Sequence, residues 1–164
     1  RVSVRMSEVS TAWNPPNGFD HVAFNLFIEL PGEAEAGATD MPMQHGKLPE
    51  GMRWNRRLRA HGWSNALFAA QGAGPEADGT PAAPAATLQA DAAGDTVSFI
   101  IAASALGNRK DLAGLKLYLN TWDYDGGYRP LDAEPAGMRF GGGRPGAASP
   151  LWMDDTGVIV LPSR

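Results

Sequence analysis

Apolar and polar residues alternate along Leu115-Lys116-Leu117-Tyr118-Leu119-Asn120, the period of two that marks a strand with one face turned to a core. The same period runs from Val22 to Leu30, where Val22, Phe24, Leu26, Ile28 and Leu30 share one side and Ala23, Asn25, Phe27 and Glu29 the other; Pro31-Gly32 ends it. Val2, Val4 and Met6 predict a first strand. Met52, Trp54, Leu58 and Ala60 fall on one side at period two, and Ser64 to Ala70 returns after His61-Gly62, so this region predicts a hairpin. A helix over 52–60 stays open, because the arginines and leucine suit one and no breaker interrupts them. Thr87 to Asp91 and Asp95 to Ala102 predict a second hairpin about Ala93-Gly94, with Val97, Phe99 and Ile101 on its second arm. Short helical turns fit 104–106 and 111–113, and Val158 to Leu161 gives a final strand.

Turn-forming loops separate these segments. Ser10 to Gly18 carries Pro15-Pro16 and Asn17-Gly18; 72–86 is a low-complexity Gly/Ala/Pro loop; 139–150 is glycine-rich. The segment 33–51 is long and irregular, of the kind that compact domains keep for function or motion. About eight short strands with such turns, and no intervening helix of about ten residues, predict an all-β fold: an antiparallel β-sandwich, jelly-roll or immunoglobulin-like, with long Gly/Pro-rich loops.

Composition narrows this without redirecting it. A chain of 164 residues fits one module spanning 1–164, and 20 glycines with 13 prolines favour short strands. A net charge of −4 argues against a nucleic-acid or anionic-membrane partner. The absence of cysteine removes disulfides, zinc thiolates and a cysteine nucleophile. No apolar run approaches the ~18 residues of a membrane span. The chain opens at Arg1-Val2 already alternating, which reads as a piece of a longer protein truncated at its N-terminus.

Chemistry concentrates after the 115–122 strand, where Trp122, Asp123, Tyr124, Asp125, Gly126, Gly127, Tyr128 and Arg129 follow one another. The three histidines, His21, His45 and His61, have no metal-ligand spacing, and His21 beside Asp20 reads as a pair anchoring a strand start. There is no nucleophile elbow and no phosphate loop. The carboxylate pairs Asp123/Asp125 and Asp154/Asp155 lack the fixed spacing that glycoside hydrolysis needs, so the chain is expected not to be an enzyme. Asp-x-Asp-Gly at 123–126 supplies two hard oxygen ligands on one turn, and calcium at Asp123 and Asp125 is the metal expectation; a turn in which Asp pairs with Arg129 explains the same residues equally well.

Aromatic rings in loops are the stronger signal. Flat rings stack on the apolar faces of sugars while amides, carboxylates and arginine meet the hydroxyls. Trp122, Tyr124, Tyr128 and Arg129, with Trp13 from the Pro/Gly loop, form the predicted carbohydrate-binding set, with Tyr124 and Tyr128 facing solvent. Trp54 and Trp63 lie in strand-like segments and are expected to pack in the core or the hairpin, and Trp152 under the last loop.

Asn14-Pro15-Pro16-Asn17-Gly18-Phe19 leading into an alternating strand resembles the C-terminal β-sandwich module of glucodextranase-type, α-glucan-active bacterial enzymes, within the DOMON-like sandwiches. The Leu115 to Asp125 strand and the stretch from Met153-Asp154-Asp155 to Pro162 share the resemblance, whereas Pro16 departs from it, standing where an aromatic is expected. The resemblance implies a non-catalytic accessory module of a secreted or periplasmic glycoside hydrolase, binding α-glucan weakly through loop aromatics, with calcium in some relatives. Its partners would be carbohydrate or the catalytic domain of its own chain. Two alternatives remain. One is a purely structural or surface-anchoring domain, with Phe27 and Tyr118 as members of an exposed apolar patch. The other is a haem-binding redox module using His21, His45 or the methionines.

Overall fold

A computed structural model describes residues 1–124, 126–128, 131 and 152–163. In chain order its strands are β1 (Val2–Arg5), β2 (Val22–Glu29), β3 (Asp40–Met41), β4 (Gly46–Lys47), β5 (Arg56–His61) and β6 (Ser64–Gly74). There follow β7 (Ala77–Ala82), β8 (Thr87–Asp91), β9 (Thr96–Ile100), β10 (Lys116–Asp123), β11 (Trp152–Asp155) and β12 (Ile159–Val160). The pairing between them is antiparallel, and the only helical turns among the described residues are two short 3-10 segments, Ala34–Ala36 and Ala103–Leu106.

A three-stranded sheet, β1-β9-β8, faces a larger one ordered β11-β10-β2-β5-β6-β7, with β12 also on β10; the expected β-sandwich is what forms. Alternate residues of β2, Val22, Phe24, Leu26 and Ile28, meet Val97 and Phe99 of β9 between the sheets, and Leu58, Ala60, Leu115 and Leu119 complete that core. Phe24 sits edge-on between Phe19 at 5.4 Å and Phe99 at 5.2 Å. Each such fully buried ring or branched chain removes enough apolar area to contribute about 1.5–3 kcal/mol.

The opposite face of the large sheet is covered too, so β2 is buried along its whole length rather than on alternate residues. Its cover is the irregular stretch 33–55. Met41, Leu48, Met52 and Trp54 from that stretch enclose Phe27 and Tyr118, which are therefore core residues and not the exposed patch expected. Polar pins fasten the cover. Asn55 accepts a hydrogen bond from the Leu30 N–H (2.8 Å) and donates to the Glu33 carbonyl (2.7 Å). Glu29 accepts from the Arg53 N–H (2.6 Å) and pairs with the Lys116 ammonium (2.9 Å). Gln44 and Asn120 exchange amide hydrogen bonds of 2.9 and 3.2 Å.

Other expectations change in detail. The 52–60 stretch takes the hairpin and not the helix, but only Leu58 and Ala60 reach the inter-sheet core; Met52 and Trp54 precede β5 and turn to the other face. Most of the predicted Gly/Ala/Pro loop is strand, β6 running on to Gly74 and β7 returning beside it. Small residues give no periodic signal there, and the pairing is held by the ladder and by Asp78, which binds two arginines of β5. Of the two helical turns only the first forms. The glycine-rich 139–150 region lies outside the described residues.

Candidate functional site

Two loops meet at one end of the large sheet. The turn of the β5–β6 hairpin, His61 to Ser64, receives the Asn14–Phe19 loop: Asn17 donates its side-chain amide to the carbonyls of His61 (2.8 Å) and Ser64 (3.3 Å), and its backbone N–H to Gly62 (3.0 Å). Gly62 is required there by space. A Cβ would stand 2.5 Å from the Phe19 carbonyl oxygen and 2.7 Å from Pro15 Cβ. The Asn-Pro-Pro-Asn-Gly motif is thus a clamp on the hairpin tip.

The clamp brings together two tryptophans 50 residues apart in sequence. Trp13 and Trp63 have ring centroids 6.0 Å apart, planes 38° apart, and are 44% and 45% exposed. Trp13 is fixed from behind. Buried Asp20 accepts the Trp13 N–H (2.5 Å) and pairs with His21 Nδ1 (2.6 Å), while the His21 ring lies 3.9 Å from the indole. Burial by itself raises the Asp20 pKa, but hydrogen bonds from Ser10, Trp13 and His21 and the His21 charge outweigh it and hold the carboxyl below its usual value. His21 adopts φ +60°, a left-handed conformation rare for a non-glycine residue. The expected anchoring pair of Asp20 and His21 is therefore present, and it also backs a ring at the site.

Tyr124, 6.0 Å from Trp63, closes the cleft from the other side. Trp13, Trp63, Tyr124 and Gly126 line an open hollow of about 540 Å³. Behind it the rings continue inward: Tyr124 stacks on His61 at 4.2 Å, His61 lies near-parallel to Tyr128 at 6.5 Å, and Tyr128 meets Trp122 edge-on at 5.1 Å. Burial, with the Arg59 charge beside it, lowers the His61 pKa to about 4, so the imidazole is neutral at pH 7.

The predicted binding set divides. Trp13 is at the cleft. Trp122 is 0% exposed, and Tyr124 at 5% is not the solvent-facing ring expected. Both belong to a cluster with Ala23 and Leu131, against which Met43 and Tyr128 pack, so their side of the sheet is an interior. Tyr128 is half-buried, its hydroxyl donating to Asp78 Oδ1 (3.0 Å) and its ring under the Arg59 guanidinium at 3.9 Å. Trp54 is buried as expected, its indole N–H donating to the Asp40 carbonyl (2.8 Å). Trp63 is the correction in the other direction. Expected to pack in the core or the hairpin because of its strand-like neighbours, it stands nearly half exposed at the hairpin tip, and the His61-Gly62 turn was the signal for that. Asp123 ends β10, whereas Asp125, Arg129 and the side chain of Trp152 lie outside the described residues. Among the described residues no group of three or more His, Cys, Asp or Glu could hold a metal ion.

The inner end of the row is polar and tightly buried. Both amide atoms of Asn25, Nε and Nη1 of Arg57, Nε of Arg59 and Nε1 of Trp122 have no hydrogen-bond partner among the described residues. A buried polar group left unpaired costs about 1–3 kcal/mol, more if charged, so the fold bears a real expense here.

Two clamped loops of an antiparallel sandwich thus border an aromatic cleft, with the Asp20–His21 pair behind one of its rings. The sequence profile of the C-terminal, SLH-like binding module of glucodextranase matches residues 1–157. The chain belongs to that family, and is a binding module and not itself the enzyme. Searches of curated proteins and of solved structures each return no match. No helix among the described residues is long and apolar enough to cross a membrane.

Proposed function

We propose that this module binds carbohydrate in the Trp13–Trp63 cleft and so serves as the accessory domain of a glucodextranase-type enzyme acting on α-glucan outside the cell. One observation carries the reading: two tryptophan faces, each nearly half exposed, border a single hollow on loops that hydrogen bonds from Asn17 tie together. Exposed indoles cost solvation unless a ligand covers them, and a pyranose ring offers a C–H face that matches them. Tyr124 contributes a wall rather than a free platform. Because the cleft is open and holds no buried polar triad of its own, the affinity for one sugar unit is weak, in the millimolar range of about 4 kcal/mol.

The experiment is a titration with maltooligosaccharides followed by tryptophan fluorescence. Saturable quenching that disappears in Trp63→Ala supports the reading; an unchanged spectrum at tens of millimolar sugar sinks it. Calcium at Asp123 and Asp125 belongs to the same proposal. A rise in melting temperature on adding calcium, reversed by a chelator and lost in Asp123→Asn, is its test.

A second, structural reading has its own observation. Val158, Ile159 and Val160 are exposed at the edge formed by β12. Such an apolar edge would suit packing against the catalytic domain of the same chain.

A further inference from the structure

The unpaired polar atoms of the outer sheet face form one contiguous patch. In the strand register Asn25 lies opposite Arg59 on one side and Asn120 on the other, Phe27 opposite Arg57, and Ala23 opposite Trp122. Asn25, Arg57, Arg59 and Trp122 thus converge from three adjacent strands. The groups they leave over are lopsided. Arg57 Nε and Nη1, Arg59 Nε, Asn25 Nδ2 and Trp122 Nε1 are donors, against the single acceptor Asn25 Oδ1. The charge is lopsided as well: among the described residues two guanidiniums share the carboxylate of Asp78, and His61 next to them is neutral. In a chain whose net charge is −4, a buried excess of positive charge and N–H groups without a partner, both among the described residues, calls for an external acceptor.

Tyr128 stands over this patch. Its hydroxyl donates to Asp78 Oδ1 (3.0 Å) and lies 3.4 Å from Arg57 Nη2, and it follows Gly126, whose φ of +103° only glycine adopts without strain. The side chains of Asp78 and Arg59 reach the surface at 22% and 15% exposure, so the rim is open to solvent. Beneath the surface, the rings of Trp63, Tyr124, His61 and Tyr128 connect the cleft to this rim in steps of 6.0, 4.2 and 6.5 Å.

We propose that the Asn25–Arg57–Arg59–Trp122 patch is a second subsite that takes the carboxylate of an acidic sugar, the Tyr128 hydroxyl giving way to it. For its ligand class the proposal rests on the carbohydrate reading above. The module then prefers glycans carrying uronic acid units over neutral ones. A carboxylate supplies two acceptor oxygens and one negative charge, which is what Arg57 and Arg59 lack and what a neutral sugar cannot give.

The test compares methyl glucuronide, methyl glucoside and sodium acetate on the full chain at constant ionic strength, by thermal shift and tryptophan fluorescence. The glucuronide is expected to bind at least tenfold more tightly than the glucoside, and acetate more weakly than the glucuronide. Arg59→Gln should bring glucuronide and glucoside within twofold of each other while its circular dichroism and its response to maltooligosaccharides stay as in the wild type. Asn25→Asp, which returns a negative charge to the patch with little change of shape, should abolish the preference by itself and raise the melting temperature. Equal binding of glucuronide and glucoside to the wild type, or a preference that survives both substitutions, overturns the proposal. So does acetate matching the glucuronide, since the sugar would then add nothing. Maltooligosaccharide binding that depends on Trp63 without any acid preference would leave the cleft reading standing and remove only this subsite.

Discussion

The imidazole of His61 lies face to face with the ring of Tyr124, centroids 4.2 Å apart and planes 20° apart. His61 Nδ1 accepts the backbone N–H of Trp63 at 3.3 Å, so one neutral histidine touches both the wall of the cleft and the main chain that carries its exposed indole. Its pKa is lowered in the folded protein from 6.5 to about 4, by burial first and by the Arg59 charge second. Between those values the unfolded chain takes up a proton that the native one refuses. This contribution to stability is therefore complete above pH 6.5 and is lost as pH falls towards 4. Allowing for solvent screening, the loss is on the order of 2 kcal/mol, or roughly 4–8 °C in melting temperature for a domain of this size. Thermal melts from pH 7 to 4 on wild type and His61→Gln check it: the variant is expected to have the flatter profile.

Trp63→Ala and Trp13→Ala are expected to reduce maltooligosaccharide affinity by tenfold or more while lowering stability by less than about 1 kcal/mol, since both rings are already nearly half in water. Trp54→Ala is the contrasting control. Its ring is wholly buried in the outer-face cluster, so it should lose about 3–5 kcal/mol. Urea denaturation and fluorescence titration on the same three proteins separate the two roles.

Gly62→Ala places a methyl group 2.5 Å from the Phe19 carbonyl oxygen, and backbone cannot yield cheaply. The Asn14–Phe19 loop must lift from the hairpin tip, separating Trp13 from Trp63. A loss of about 1–3 kcal/mol is expected, together with weakened sugar binding although no ligand-facing side chain has changed. Calorimetry and the same titration measure both.

Asn55→Ala removes the bonds to Leu30 and Glu33 and leaves the Leu30 N–H unpartnered beneath the 33–55 cover, while the Glu33 carbonyl keeps the Ala36 N–H. The expected cost is about 1–3 kcal/mol. Hydrogen exchange should show faster opening of 38–54 than of β9, because the pin belongs to the cover and not to the inter-sheet core.

The alternation of β2 and β10, the Gly/Pro turns and the lack of long helical periods determined by themselves that this is an antiparallel sandwich. Local sequence suffices there because a strand's period is written in its own residues. The Asn-Pro-Pro-Asn-Gly loop likewise carried its family within a few positions. The site was less legible. Trp122, Tyr124 and Trp63 were each assigned by their immediate neighbours, and all three assignments turn on contacts made elsewhere. Packing of Met43, Tyr128 and Leu131 encloses the first two, and the clamp of the 14–19 loop on the hairpin tip holds the third beside Trp13. Phe27 and Tyr118 follow the same logic, since only the 33–55 cover makes their side of the sheet an interior. Whether a ring is platform or core depends on what a distant segment lays over it. That segment's path is a property of tertiary packing and has no local period to read.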